Sequence, residues 1–343
     1  MNYKALLYKN KKFKYKEIAL PKPKNNQIFV KNHYTGICGS DLHNIFDTPL
    51  RGNFKKWLSL EFADGHELCG EIIDIGKKVK KFKIGDRVVS EAVYHCKNCV
   101  NCRNFKHQIC LNRKDLPWLG HGGFSHVSFI DQNSAYKVPQ KLKSDIAALS
   151  EPLASVIHAF NKVKNHKKNK ILIYGAGTIG LLLLRYLKLK SYKNVFIVAR
   201  HGHQKSIAQK KIKKNIIVNE NNFIKLKSNF DIIYECTGSE NAMNMSLQLI
   251  KKGGNIVCLG TTSKNVKFNY QSIINKEINL IGSLCYGTFK GNYEIEIALK
   301  TLLNKKFYCS DLISHKISFN KAAKAFKIAS NKKYKSIKVQ LEF

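Results

Sequence analysis

A chain of 343 residues exceeds the size at which one hydrophobic core stops growing, so two domains are expected and a disulfide-stapled miniature is excluded. With 44% hydrophobic residues, 15 Tyr and 19 Phe, it has ample apolar surface for packed cores, which excludes a largely disordered chain. Its 60 Lys and Arg against 23 Asp and Glu give a net charge of +37, ordinarily the mark of a nucleic-acid or membrane-surface partner. Here the lysines are spread along the whole chain among many Asn, so a compositional bias explains the charge; a nucleic-acid partner is not expected, and an anionic small molecule remains compatible.

No apolar run approaches the ~18 residues of a membrane span: 181–184 is ended by Arg185, and the first ten residues hold no export signal. A cytoplasmic protein with reduced thiols is therefore expected, its ten cysteines serving metal before disulfides.

In chain order, 27–32, 71–75, 87–90 and 125–130 read as short strands punctuated by turns, an irregular β barrel. From 171 the pattern becomes strand alternating with helix. Strands are expected at 171–174, 195–198, 216–218, 231–234, 255–259 and 278–281, with helices such as 179–189 and 241–250 between them, the signature of βαβ units and a parallel sheet. The alternation ends near 285, and the tail is expected to pack back on the first domain. The expected division is 1–151 with 285–343, carrying a lobe at about 94–112, and 152–284 as the second domain.

The strongest chemical signal is Cys96-x2-Cys99-x2-Cys102-x7-Cys110. Four thiolates close a tetrahedron around one ion and leave no position for substrate, which describes a structural zinc. Free thiols and an iron–sulfur cluster are the rivals; the long last spacing and the missing Cys-Pro ending argue against a ferredoxin pattern. A second, scattered set comprises Cys38, His66, Glu67 and Glu151. One thiolate, one imidazole and carboxylates can hold Zn2+ with a position open for water or substrate. Singly, such a Cys is a small buried hydrophobe and His-Glu a surface pair; together, ahead of a nucleotide site, they read as a catalytic zinc.

That nucleotide site begins at Gly175, Gly177 and Gly180, with Thr178 and Ile179, between a strand and a helix. The glycines allow a tight turn, close approach to a pyrophosphate and close helix–strand packing. About twenty residues on, where an NAD site presents a carboxylate to the ribose, this chain has Ala199 and Arg200, followed by His201, His203 and Lys205. A guanidinium there suits the 2′-phosphate of NADP, with NAD as second choice; the bland alternative makes Arg200 one more surface base.

Taken together, Gly36-Ile-Cys-Gly-Ser-Asp-Leu-His43, Gly65-His-Glu67, the four-cysteine lobe, Glu151-Pro-Leu-Ala and Glu235-Cys-Thr-Gly238 resemble the zinc-dependent medium-chain dehydrogenase/reductase superfamily over essentially the whole chain. Glu at 151 points to its polyol branch of sorbitol and galactitol-1-phosphate dehydrogenases. The resemblance implies an α/β chain: an N-terminal GroES-like β-rich catalytic domain and a Rossmann doubly wound parallel-sheet domain, in a homodimer or homotetramer. It implies two Zn2+ per chain, the catalytic one held by Cys38, His66 and Glu67 with a water, and Glu151 close enough to coordinate directly or through that water. Ser40 and His43 match the proton relay. Thr237 and Gly260 fall with the cofactor site, and Phe54 and Tyr286 with the substrate; Cys285 replaces the arginine of sorbitol dehydrogenases. The implied activity interconverts a secondary alcohol of a polyol, sugar or sugar phosphate with its ketone. A threonine or alcohol dehydrogenase using NAD is the nearest alternative, and a non-catalytic nucleic-acid-binding protein on the same fold the remote one.

Overall fold

The computed structural model describes residues 2–9, 12–46, 63–116, 120–212, 215–217, 226 and 228–343. The chain forms two compact units, one of Met1–Pro152, Gly287–Leu303 and Ile313–Phe343, the other of Leu153–Tyr286 and Asn304–Leu312.

The first unit is organised on strand Gln27–Gly36, rich in β-branched and aromatic residues and paired antiparallel with Glu67–Ile75, Val127–Asp131 and Lys338–Glu342. Phe29 faces Phe129 in that register, and their rings stack at 4.3 Å. Phe124, Phe319 and Phe326 complete a core in which each buried aromatic contributes about 1.5–3 kcal/mol. Strand Ile313–Ser318 lies parallel to Lys338–Glu342, an arrangement that needs a crossover, and helix Ala322–Ser330 supplies it. Strand Gln27–Gly36 runs beyond the expected 32, and Glu67–Ile75 starts before the expected 71. Polar residues at 31–33 and 66–67 break the apolar run, yet backbone pairing continues through Tyr34↔Cys69 and Gly36↔Glu67.

The second unit is a six-stranded parallel sheet in the order Ile216–Ile217, Val195–Val198, Ile171–Tyr174, Phe230–Glu235, Ile250–Cys258, Asn279–Gly282. This is the doubly wound order of a dinucleotide-binding domain, whose strand order reverses beside the first strand. All four residues of Ile171–Tyr174 are buried, as a strand covered on both faces requires. Helix Thr178–Leu189 buries Leu181–Leu184 and Leu187 against it.

The tail is not assigned whole to the first unit, because Cys285, Tyr286 and Asn304–Leu312 group with the second. Arg185, read in the sequence only as ending an apolar run, is the cause for the latter stretch: it is buried, pairs with Asp311 at 2.6 and 3.1 Å and donates to the Tyr308 carbonyl. Among the described residues no helix is long and apolar enough to cross a membrane.

Candidate active site

The pairing of Gly36 with Glu67 brings the end of one strand beside the start of the next, so Cys38 comes to lie against His66 and Glu67. One ligand atom from each of these three residues lies within 4.8 Å of the others. The donor set is one sulfur, one nitrogen and one oxygen, which fits zinc with a position left open. Gly36 makes the space: a Cβ there would stand 2.0 Å from Glu67 Oε2.

Around this set the structure adds three residues that the motif reading gave no role. Asp41 is buried, accepts a hydrogen bond from the Cys38 backbone N–H at 2.7 Å, and places Oδ1 3.6 Å from His66 Nδ1. That oxygen has no hydrogen-bond partner among the described residues, as suits a carboxylate that orients a metal-bound imidazole from its far nitrogen. Burial pushes the Asp41 carboxyl up to about 7, opposed by His66. Burial alone would lower His66; Asp41 and Cys38 outweigh it and raise His66 well above its ordinary value. Asp64 joins Asp41 and His66 in a second ligand-competent group. Lys338, from the last strand, donates to both oxygens of Glu67 at 2.6 Å.

Ser40 and His43 lie three apart on helix Gly39–Phe46, hence on one face, and both are half-buried. Glu151, buried in the first turn of helix Ser150–Asn161, is not within the 4.8 Å group; its charge reaches His66 and Lys338. Phe54, expected at the substrate, lies outside the described residues.

In the lobe, Cys96, Cys99, Cys102 and Cys110 bring their sulfurs within 4.8 Å of one another, with Cys96–Cys110 at 3.4 Å and Cys99–Cys110 at 3.8 Å. Four thiolates ~2.3 Å from a common zinc would be about 3.8 Å apart, so the cage fits the ion. Burial works against ionising Cys96, but hydrogen bonds from Asn112 and from the backbone N–H of Asn98 and Cys99 bring its thiol down to about 6. Burial and the neighbouring thiols instead push Cys102 up to about 12. Four adjacent thiols cannot all ionise without a cation among them. None of the ten cysteines is in a disulfide.

In the second unit, Gly175 has φ +111°, and Gly180 packs so tightly that a Cβ would stand 1.9 Å from the Gly175 carbonyl oxygen. Gly177 is the opposite case. Nothing lies within 4 Å of where its Cβ would be, and it caps helix Thr178–Leu189 without a side-chain hydrogen bond. That open face at the N-terminus of the helix fits a pyrophosphate. Glu235, another residue without an assigned role, is buried and accepts from Thr237 N, Thr237 Oγ1 and Gly238 N at 2.5–3.1 Å, while its carbonyl accepts from Gly260 N at 3.0 Å. It thereby holds Thr237 and Gly260 at the carboxyl edge of the sheet. Ala199 is buried, Arg200 exposed, and Lys205 half-buried on helix Gly202–Gln209, with the rings of His201 and His203 stacked nearby. Tyr286 is buried, next to Cys285, which has φ +46°.

The fold and both donor sets define a zinc-type dehydrogenase with a dinucleotide-binding domain. Residues 24–140 match the family described as alcohol dehydrogenase GroES-like domain, and residues 144–343 the one described as glucose dehydrogenase C-terminus. The D-arabitol-phosphate dehydrogenase of Enterococcus avium is 30% identical over 322 residues, 90% of this chain and 88% of that protein. The sorbitol dehydrogenase of Halalkalibacterium halodurans is 30% identical over 325 residues, 92% of this chain and 91% of that protein. A zinc-binding dehydrogenase from Sinorhizobium meliloti, solved bound to NADP, superposes with a TM-score of 0.86 at 22% identity over 100% of both chains. The chain belongs to the zinc-dependent medium-chain dehydrogenase/reductase superfamily, in its polyol dehydrogenase branch.

Proposed function

We propose that this enzyme interconverts a secondary alcohol of a polyol or polyol phosphate with its ketone, using NADP and two zinc ions per chain. The observation that carries the reading is the Cys38–His66–Glu67 group, one sulfur, one nitrogen and one oxygen, with no fourth ligand atom in the set among the described residues. Bound zinc supplies a Lewis acid that acidifies a substrate hydroxyl, and the nicotinamide supplies the hydride acceptor. Cys38, His66 and a carboxylate, Glu67 or Glu151, would hold that zinc. Asp41 orients the His66 ring. Ser40 Oγ and the His43 ring would carry the hydroxyl proton toward solvent, a role consistent with two half-buried residues on one helix face. Cys96, Cys99, Cys102 and Cys110 hold the second, structural zinc. Gly177 leaves room for the pyrophosphate, and Arg200 with Lys205 meets the 2′-phosphate.

Support for a phosphorylated substrate comes from the arabitol-phosphate relative, and the net charge of +37 is compatible with an anion. The experiment is NADP-dependent oxidation of a panel holding sorbitol, arabitol phosphate, galactitol 1-phosphate, threonine and ethanol. Turnover of a polyol or its phosphate is the expected result; turnover of threonine or ethanol alone would overturn the substrate class.

A further inference from the structure

His66 stands one residue before strand Glu67–Ile75, and the residues that lead into it, 63–65, belong to no strand. They are fixed instead by segment 121–124, which is equally irregular. The backbone N–H groups of Gly122, Gly123 and Phe124 donate to the carbonyls of Ala63, Gly65 and Asp64 at 2.8, 2.7 and 2.7 Å. The two backbones touch: a Cβ on Gly122 would stand 2.6 Å from the Gly65 oxygen, and Gly65 itself has φ +97°. In the reverse direction Ala63, wholly buried, donates its N–H to His121 Nδ1 at 3.2 Å. A backbone N–H can only donate, so Nδ1 is bare and Nε2 carries the proton. The surroundings keep the ring neutral: burial, and after it the Lys16 charge, bring it down to about 4. Tyr3 and Phe129 hold it edge-on, at 5.6 Å and 79° and at 5.8 Å and 86°.

We propose that His121 is a positioning residue, whose bare Nδ1 anchors Ala63 and so fixes the aim of His66 at the metal. The inference rests on His66 being a metal ligand. With residues 63, 64 and 65 each pinned by a hydrogen bond, the chain enters His66 with little freedom. Without an acceptor at 121 the Ala63 N–H is left buried and unpaired, a cost that the segment relieves by moving. A displacement of the His66 ring by about 1 Å is enough to lower turnover severely. Shape alone does not supply this function. Phe fills the space of the ring but offers no acceptor, whereas Asn is smaller yet places Oδ1 where the imidazole carries Nδ1.

The test compares His121→Phe with His121→Asn, reading turnover, Tm and the visible absorption of the Co2+-loaded enzyme; the Cys38→Ser protein supplies the spectrum of the four-cysteine site alone. His121→Phe should lower turnover roughly tenfold to a hundredfold and shift the part of the spectrum that depends on Cys38. His121→Asn should keep turnover and spectrum close to native, although the void it leaves beside Tyr3 and Phe129 lowers its Tm. A histidine that merely fills space predicts the opposite order, because the ring of Phe preserves the packing better. Native turnover and spectrum in His121→Phe overturn the proposal, and so does an Asn variant no more active than the Phe one. In the native protein, nitrogen NMR of isotope-labelled histidine should show His121, identified by its loss in His121→Asn, neutral at pH 7 with the proton on Nε2. A proton on Nδ1 overturns the proposal even where His121→Phe does not fold. If Cys38→Ser leaves the cobalt spectrum unchanged, the metal-site reading itself fails and the proposal with it, whereas the other adverse results strike His121 alone.

Discussion

Arg200 sits exposed one residue past buried Ala199, where a carboxylate would bind the ribose hydroxyls of NAD. A charge-assisted hydrogen bond contributes about 1.5–3 kcal/mol, so Arg200 should give NADP a preference of about tenfold to a hundredfold. Changing Ala199→Asp together with Arg200→Ile should reverse it; the check is the ratio of kcat/KM with NADP to that with NAD at one ionic strength, since the contact is screened by salt. A ratio unmoved by the double change would leave Arg200 as a surface base. Ser40→Ala should lower turnover by roughly 100- to 10,000-fold with zinc still bound, as loss of a positioned proton acceptor does. Unchanged rates near neutral pH would remove Ser40 from the relay. Both predictions grow from residues legible in the sequence, because each sits inside a short motif. Asp41 was inside such a motif too, but only its 3.6 Å approach to His66 shows what it does.

At the scale of elements, the four-cysteine lobe is held by short pieces: a one-turn helix Val100–Arg103, a turn at His107–Ile109, and Lys97 and Phe105 in left-handed backbone. So little regular structure is poorly able to hold itself, and a metal bound by the four thiols would supply the folding free energy. Cys99→Ser should therefore lower the zinc content from about two per chain to about one and the Tm by roughly 5 °C or more, while Cys38→Ser should remove the other zinc and the activity with a smaller change in Tm. Elemental analysis with a thermal melt decides it, an unchanged zinc count in Cys99→Ser being the adverse result. Strand positions in the second unit were readable because strands covered on both faces are continuous apolar runs. In the first unit the strands reached further than their apolar segments, since backbone pairing does not stop where polar side chains begin.

For the molecule as a whole, two carboxyls, one half-buried and one buried, set opposite pH dependences. Burial would raise Asp311, but Arg185 overcomes it and holds the carboxyl below its ordinary 3.8. The unfolded chain then binds the proton more tightly, so this stabilisation is present above about pH 4 and lost as pH falls through the folded value. Asp311→Asn strands a buried guanidinium and should cost about 3–5 kcal/mol at pH 7, seen as a lower denaturation midpoint. Glu91 is the reverse: burial pushes its carboxyl up to about 8 although the Tyr136 hydroxyl donates to it at 2.8 Å. Its contribution is complete below the unfolded value of 4.5 and lost as pH rises through about 8. Glu91→Gln keeps the Tyr136 contact without the charge, so the fall in Tm between pH 6.5 and 8 should be smaller than in the native protein; an equal fall would place the titration elsewhere.

What the sequence determined by itself was local chemistry: thiols at metal-binding intervals, glycines between a strand and a helix, a cysteine and a His-Glu pair ahead of them, and a missing acid after the second strand. Each of these works through neighbours a few residues away, so its spacing carries its meaning. Only the tertiary structure decided that Lys338 holds Glu67 from 271 residues away and that Arg185 gathers Asp311 and Asn304–Leu312 into the second unit. Ion pairs of that range leave no mark in a chain with 60 Lys and Arg, because any of them could answer a buried carboxylate until the fold desolvates one pair and leaves the rest in water.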